Sequence, residues 1–288
     1  MMLFRRYPAN LMLWLLLLGV TGCVGVPTPA ERHQTARELA VEHDLTPLHL
    51  PAERFYLLAM QTPAYSPGGE VAHIYLEGDG RSWASRWRVA KDPTPVDPIG
   101  LKLMVADKAP LRGWLGRPCQ YQKPMVQGPR DRVCKQAYWS THRYAPELVK
   151  AMGQGLDQLK QRLKVEKLVL IGYSGGGPMA LLLANRRDDV LRVITVAANL
   201  DIAAWVRWHR VSPLVGLDPG MELDSLKRIP QIHLSGADDR VAPALLQQRF
   251  RARLPASAPI TLQTIPKTDH TCCWPEQWPA LLRSTIPQ

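Results

Sequence analysis

Gly172-Tyr173-Ser174-Gly175-Gly176 spells G-x-S-x-G between a strand-like apolar run, Lys167 to Ile171 (KLVLI), and a helix-forming run, Met179 to Asn185. Strand, sharp turn and helix in that order are the setting in which a serine becomes an exposed nucleophile. A serine at the tip of such a turn takes a strained backbone conformation. The chain on either side then passes so close that side chains two residues away would clash, which is why Gly172 and Gly176 belong there. Pro178 falls in the first turn of the following helix, where its missing N–H costs nothing. A turn that cradles phosphate is the competing reading, but the Walker Lys-Ser/Thr pair is absent and G-x-G-x-x-G is not matched here.

A serine hydroxyl needs a base within hydrogen-bond reach, and the base needs a carboxylate to fix its tautomer. Beyond Ser174 the chain has three histidines, His209, His233 and His270. His233 lies inside a strand-like run, Gln231 to Ser235, and reads as packed. His270 follows the last strand-like run on a loop, where a base can reach over the nucleophile. For the acid, Ser235-Gly236-Ala237-Asp238-Asp239-Arg240-Val241-Ala242-Pro243 offers Asp238 and Asp239, and Asp201 is a third option one strand earlier.

This segment resembles the acid loop of the α/β-hydrolase superfamily, whose aspartate stands three residues after the glycine and precedes a valine and a proline. The resemblance selects Asp239, leaves Asp238 as a turn former bonding local N–H groups, and implies the chain order Ser, acid, His. It implies an α/β fold with a mostly parallel sheet covered by helices on both faces, and an oxyanion hole from two backbone N–H groups. Gly175, just after the nucleophile, would supply one. Leu76-Glu77-Gly78-Asp79-Gly80 is similar to the superfamily's His-Gly loop, and its alignment makes the Asp79 backbone the other donor with Gly80 close behind, a choice that the departure of Glu77 from His leaves open; the Asp79 carboxylate is expected to turn away toward Arg81. The chain also resembles a group of bacterial envelope lipoprotein hydrolases that share YLEGDGR (Tyr75 to Arg81), GRPCQY (Gly116 to Tyr121) and Trp-x-x-x-Arg-Tyr (Trp139 to Tyr144).

The ends bound the location. Arg5 and Arg6, the apolar run Leu11 to Val20 and then Val20-Thr21-Gly22-Cys23 form a secretory signal too short for the about 20 apolar residues of a spanning helix. The small residues before Cys23 resemble a lipobox, which implies removal of residues 1 to 22, lipid on Cys23, and an outer-membrane anchor in a Gram-negative cell because Val24 is not aspartate. Cleavage takes Lys and Arg from 36 to 34 against 25 Asp and Glu, so the formal charge falls from +11 to +9. The cations are scattered, with no basic stripe or binding motif, so nucleic acid is not an expected partner. Cys119, Cys134, Cys272 and Cys273 remain, an even set in an oxidising compartment. Cys119 with Cys134 closes a loop of about 15 residues, worth roughly 3 kcal/mol. Cys272 and Cys273 are open between a vicinal disulfide and cross-pairing with the first two, and a zinc site with His270 lacks a companion C-x-x-C.

Strands are expected at Phe55 to Gln61, Val71 to Glu77, Val165 to Gly172, Val190 to Ala197, Gln231 to Ser235 and Ile260 to Ile265. Helices are expected at Glu31 to Glu42, Pro146 to Leu163, Gly177 to Arg186, Ala242 to Leu254 and Gln277 to Ser284. Val24 to Ala30 reads as a tether, 23–50 as tether plus helix and 51–288 as one hydrolase domain. Arg81 to Thr141 is the least regular stretch, and Asn199 to Glu222, with Trp205 and Trp208, reads as a small apolar cap. The expected function is a membrane-anchored serine hydrolase of esterase or lipase type, without cofactor or metal, that cleaves an ester, thioester or related acyl bond of a small molecule or lipid through Ser174, His270 and Asp239. The alternative is a catalytically silent lipoprotein of the same fold that serves as an envelope binding module.

Overall fold

In a parallel sheet covered on both faces, strands are apolar along their whole length rather than at alternate residues. KLVLIGY and VLRVITV have that character, and they form the adjacent central strands of the sheet. The structure, a computed structural model, describes residues 25–63, 70–122 and 133–285; Cys23 and the signal-like segment lie outside the described residues. Its elements run α1 (Pro29–Glu42), β1 (Thr46–Ala52), β2 (Phe55–Gln61), β3 (Val71–Leu76), a hairpin of β4 (Trp83–Ser85) and β5 (Arg88–Val89), α2 (Ile99–Ala106) and β6 (Arg112–Leu115). There follow α3 (Pro146–Leu163), β7 (Lys167–Tyr173), α4 (Gly176–Ala184), β8 (Val190–Val196), α5 (Ile202–His209), β9 (Gln231–Gly236), α6 (Ala244–Arg251), β10 (Ile260–Ile265) and α7 (Trp274–Thr285).

Eight strands form one sheet in the order β1-β2-β6-β3-β7-β8-β9-β10. β1 with β2 and β2 with β6 pair antiparallel; from β6 to β10 every neighbour is parallel. The two faces bury separate cores. One holds α3, α4 and Phe250 of α6. The other holds α1, α2 and Trp274 and Trp278 of α7. Helix α3 turns a stripe of Leu148, Met152, Leu156, Leu159 and Leu163 to the sheet, the spacing of an amphipathic helix. Helix α4 is buried at all nine positions, so its Leu181, Leu182 and Leu183 each contribute about 1.5–3 kcal/mol of burial and fix the helix behind the central strands.

Six elements, β1, β4, β5, α2, β6 and α5, lie where none was expected. The edge strand β1 carries Pro47 and Pro51, which a central strand could not accept. Its register against β2 runs from Thr46↔Gln61 to Ala52↔Phe55, so the boundary placed after residue 50 falls inside a strand. Ala36 and Ala40 of α1 pack in the same core as Met60 and Trp114, so α1 covers the sheet to which β1 belongs. Strand β6, four residues long, inserts between β2 and β3, and α2 follows Pro93, Pro95 and Pro98. Both sit in the stretch that reads as irregular.

Candidate active site

The turn between β7 and α4 holds Ser174 at φ 49°, a left-handed conformation that serine rarely takes. Two hydrogen bonds keep it there, from Ser174 N–H to the Val196 carbonyl at 2.8 Å and from Gly177 N–H to the Ser174 carbonyl at 3.0 Å. The flanking glycines are required by contact: a Cβ on Gly172 would lie 2.3 Å from the Gly176 carbonyl oxygen, and one on Gly176 would lie 2.3 Å from that of Leu76.

Ser174 Oγ lies 3.0 Å from His270 Nε2, and His270 Nδ1 lies 2.9 Å from Asp239 Oδ2. The Asp239 side chain is fully buried, and its other oxygen accepts from Val241 N–H at 2.7 Å and Ala242 N–H at 2.8 Å. The loops after β9 and β10 are joined backbone to backbone, which brings these two residues together. Ala237 N–H donates to Ile265, Asp238 N–H donates to Thr268, and a Cβ on Gly236 would strike the Thr268 carbonyl at 2.3 Å. The Tyr173 hydroxyl donates to the His270 carbonyl at 2.9 Å and steadies the histidine from the nucleophile side.

The other candidates are accounted for. Asp238 is exposed, and the local N–H bonds expected of its carboxylate are made by Asp239 instead, because Asp239 is the residue that turns inward. Asp201 caps α5 by accepting from Ala204 N–H at 2.8 Å. His233 is fully buried against Phe250 and bonded to Thr195, and burial pulls its pKa down to about 3. His209 reaches the Val241 carbonyl.

On the opposite side of Ser174, the loop after β3 packs against the elbow so closely that a Cβ on Gly175 would meet the Asp79 carboxylate at 2.2 Å. Among the described residues, neither the Asp79 nor the Gly175 backbone N–H donates to another backbone group. The Asp79 carboxylate does turn aside, but to Arg117 at 3.2 Å and Arg143 at 2.5 Å, not to Arg81. Those two guanidiniums are buried and preorganised by carbonyls: Arg117 donates to Gly175 at 2.9 Å and to Arg143 at 2.7 Å, and Arg143 donates to Ser140 at 2.7 Å. The Tyr144 hydroxyl also donates to the Gly175 carbonyl at 3.1 Å, and the Gln120 amide donates to Gly78 at 2.9 Å. Residue-type reasoning passes over this network. Asp79, Arg117, Gln120, Arg143 and Tyr144 all lie in the stretches YLEGDGR, GRPCQY and Trp139 to Tyr144 singled out in the sequence.

Glu77 sits behind the same loop. It is 1% exposed and accepts four N–H groups, from Gly78 at 2.9 Å, Gly100 at 3.2 Å, Leu101 at 3.3 Å and Trp114 Nε1 at 3.1 Å. Burial pushes its carboxyl up to about 7 although those donors pull the other way. The carboxylate ties the loop to the start of α2.

Ser174 and His270 open into a cleft of about 720 Å³ whose walls include Tyr173, Trp205 and Val241. Of the segment read as a cap, α5 and a short 3-10 turn at Pro219–Met221 are helical. Residues 215–217 bond back to 141–144, while Asn199 and Trp205 line the cleft. Cys119 and Cys134 are bonded, with Cα atoms 5.6 Å apart, and Cys272 is bonded to Cys273. No group of three or more His, Cys, Asp or Glu among the described residues is placed to hold a metal ion.

No protein-family model matches the chain, and no curated protein matches it. Solved structures do. An esterase of Pyrococcus furiosus superposes with TM-score 0.56 at 12% identity, covering 91% of this chain and 94% of the other. Est1E from Butyrivibrio proteoclasticus gives 0.56 at 14% identity, covering 84% and 99%. An alpha-beta serine hydrolase homologue from Coxiella burnetii gives 0.53 at 12%, covering 83% and 94%. At such identities the likeness speaks for architecture, and together with the sheet order and the elbow it establishes that this chain has the α/β-hydrolase fold.

Proposed function

We propose that the protein is a serine hydrolase that cleaves an ester, thioester or related acyl bond through an acyl-enzyme. The observation that carries this is the relay from Ser174 Oγ to His270 Nε2 at 3.0 Å and from His270 Nδ1 to Asp239 at 2.9 Å, on an elbow that opens into the cleft. Ser174 Oγ attacks the acyl carbon while His270 Nε2 takes its proton. The carbonyl oxygen becomes an oxyanion facing the Asp79 and Gly175 N–H groups. Collapse expels the alcohol or thiol, which leaves with the proton from His270. Water then attacks the acyl-enzyme, gives its proton to His270, and releases the carboxylic acid with Ser174 restored. Asp239 holds the imidazole tautomer and stabilises the imidazolium. The Asp79 carboxylate opposes charge build-up on the oxyanion, and its pairing with Arg117 and Arg143 offsets this. The chemistry requires no cofactor.

We also propose that Cys23 carries the lipid that anchors the protein to the envelope, on the strength of the Arg pair, apolar run and lipobox-like end. Cys23→Ser should abolish N-terminal acylation, and an unchanged acyl mass on that variant would remove the anchor. For the hydrolase reading, the test is turnover of a small aryl ester. Ser174→Ala should cost roughly 10⁴-fold or more, and His270→Ala should be about as severe because the two act as a unit. Wild-type turnover by either variant in folded form would exclude the mechanism.

A further inference from the structure

The chain enters the fold at the rim of the cleft. Val26 and Pro27 form part of the wall that also holds Ser174 and His270. Their position is set by the start of α1. Thr28 and Glu31 make a reciprocal capping box, Thr28 N–H to Glu31 Oε2 at 2.6 Å and Glu31 N–H to Thr28 Oγ1 at 3.2 Å. One turn on, Arg32, 3% exposed, donates to the Thr94 carbonyl and lies 3.4 Å from Asp92. That loop supplies Pro95, Val96 and Asp97 to the same cleft. The entry point is therefore pinned to the rim. Two residues, Val24 and Gly25, separate Cys23 from Val26, and those three steps of chain reach at most about 11 Å, so whatever holds Cys23 lies close to the mouth.

The rim exposes apolar side chains to water beside an acid, Asp97, which is paired with Lys102 at 2.6 Å. Val26 is 56% exposed, Trp83 40%, Val96 44% and Val241 41%, and all four line the cleft. The hairpin that begins at Trp83 carries Trp87 at its turn, 84% exposed and outside the cleft lining, with the Arg86 guanidinium 5.1 Å from its ring. Arg81, Arg86 and Arg88 surround these indoles in the sequence. Tryptophan beside arginine is the pairing that settles at headgroup level, the ring among acyl carbons and the cation on phosphate.

We propose that this rim is a membrane-docking face. The anchor at Cys23 holds the mouth against an anionic bilayer, and the acyl esters that reach Ser174 are those of glycerophospholipids entering from the lipid side. Phospholipid and water become a fatty acid and a lysophospholipid by the two steps written above. The substrate half rests on the hydrolase reading; the docking half rests only on the Cys23 anchor and the rim.

The test uses the full chain carrying its native N-terminus, reconstituted in vesicles of phosphatidylethanolamine and phosphatidylglycerol with or without bromine on the acyl chains. The fluorescence contributed by Trp87 is the difference between wild type and Trp87→Phe. It should fall at least about twofold in brominated vesicles, as expected of a ring seated at the interface; an equal signal with and without bromine would overturn the docking face. In parallel, Trp87→Glu should lower fatty-acid release from vesicle phosphatidylglycerol by at least about fivefold, since one charge near a bilayer surface is worth about 1 kcal/mol, while turnover of a water-soluble butyrate ester stays unchanged. Quenching with turnover of the soluble ester but none of the lipid would overturn the substrate class alone. If wild type turns over neither ester, the hydrolase reading and the substrate class fall together, and bromine quenching still decides the docking face.

Discussion

Glu77→Gln is the most informative single change behind the reacting atoms. The carboxyl is fully buried, no lysine or arginine among the described residues pairs with it, and its pKa is raised from 4.5 to about 7. Because the folded state holds the proton more tightly than the unfolded chain, this group's contribution to stability is fully present below pH 4.5 and is lost as pH rises toward 7, after which it is flat. The whole effect is about 2.5 pKa units, roughly 3.4 kcal/mol. Between pH 5 and pH 8 the same titration amounts to about 2.5 kcal/mol, because part of it is already complete at pH 5. Glutamine cannot titrate, so it removes that slope. It also turns an NH₂ group toward one of the two donor pairs, leaving buried N–H groups unmatched at about 1–3 kcal/mol each. Urea unfolding of both proteins at pH 5 and pH 8 measures this, the difference between them cancelling every other titrating group. Wild type should lose about 2.5 kcal/mol more than the variant on going from pH 5 to pH 8. Parallel losses in the two proteins would refute the reasoning and mean that Glu77 is ionised throughout.

Asp239→Asn should slow ester turnover by roughly 10⁴-fold, less than loss of the serine, while Asp238→Asn and Asp201→Asn leave kcat near wild type in folded protein; a larger loss in either of the latter would move the acid role to that residue. Arg117→Met should destabilise by about 3–5 kcal/mol in urea unfolding, because it breaks a buried ion cluster and leaves Asp79 with one partner; a change below 1 kcal/mol would show the cluster to be dispensable. Gly172→Ala should cost more than about 4 kcal/mol, since its Cβ meets backbone at 2.3 Å. Gly153→Ala, whose nearest neighbour would be Leu183 at 3.7 Å, should gain about 0.5–1 kcal/mol from helix propensity. Cys119 and Cys134 should map as one disulfide-linked peptide pair without reductant, and free thiols at both would contradict it.

Local signals made the elbow, the central strands and α3 readable. The apolar runs of β7 and β8 and the Leu148 to Leu163 stripe each carry their own period, and the G-x-S-x-G glycines mark a clash that no other residue relieves. The positions of Asp239 and His270 came from resemblance and chain order. What makes that pair possible, the backbone contact of Gly236 with Thr268, joins residues far apart in sequence. Strand β1 hid behind two prolines that only an edge position tolerates, and β6 is too short to show a period and finds its place by inserting out of order. The Arg117–Asp79–Arg143 cluster was hidden for the same reason. Asp79 reads as a backbone donor with its carboxylate turned to Arg81, and Arg117 and Arg143 carry no assigned role until the fold brings the ends of β3 and β6 and residue 143 to the back of the elbow.

Labelling of the full chain with a fluorophosphonate, followed by peptide mass mapping, asks whether Ser174 is an activated nucleophile. One phosphonyl adduct per chain should appear on the peptide containing Gly172-Tyr173-Ser174-Gly175, and it should vanish in His270→Ala because a serine without its base is too weakly nucleophilic to react. A folded, unlabelled wild-type protein, or an adduct on any residue other than Ser174, would contradict the assignment of this site to acyl chemistry.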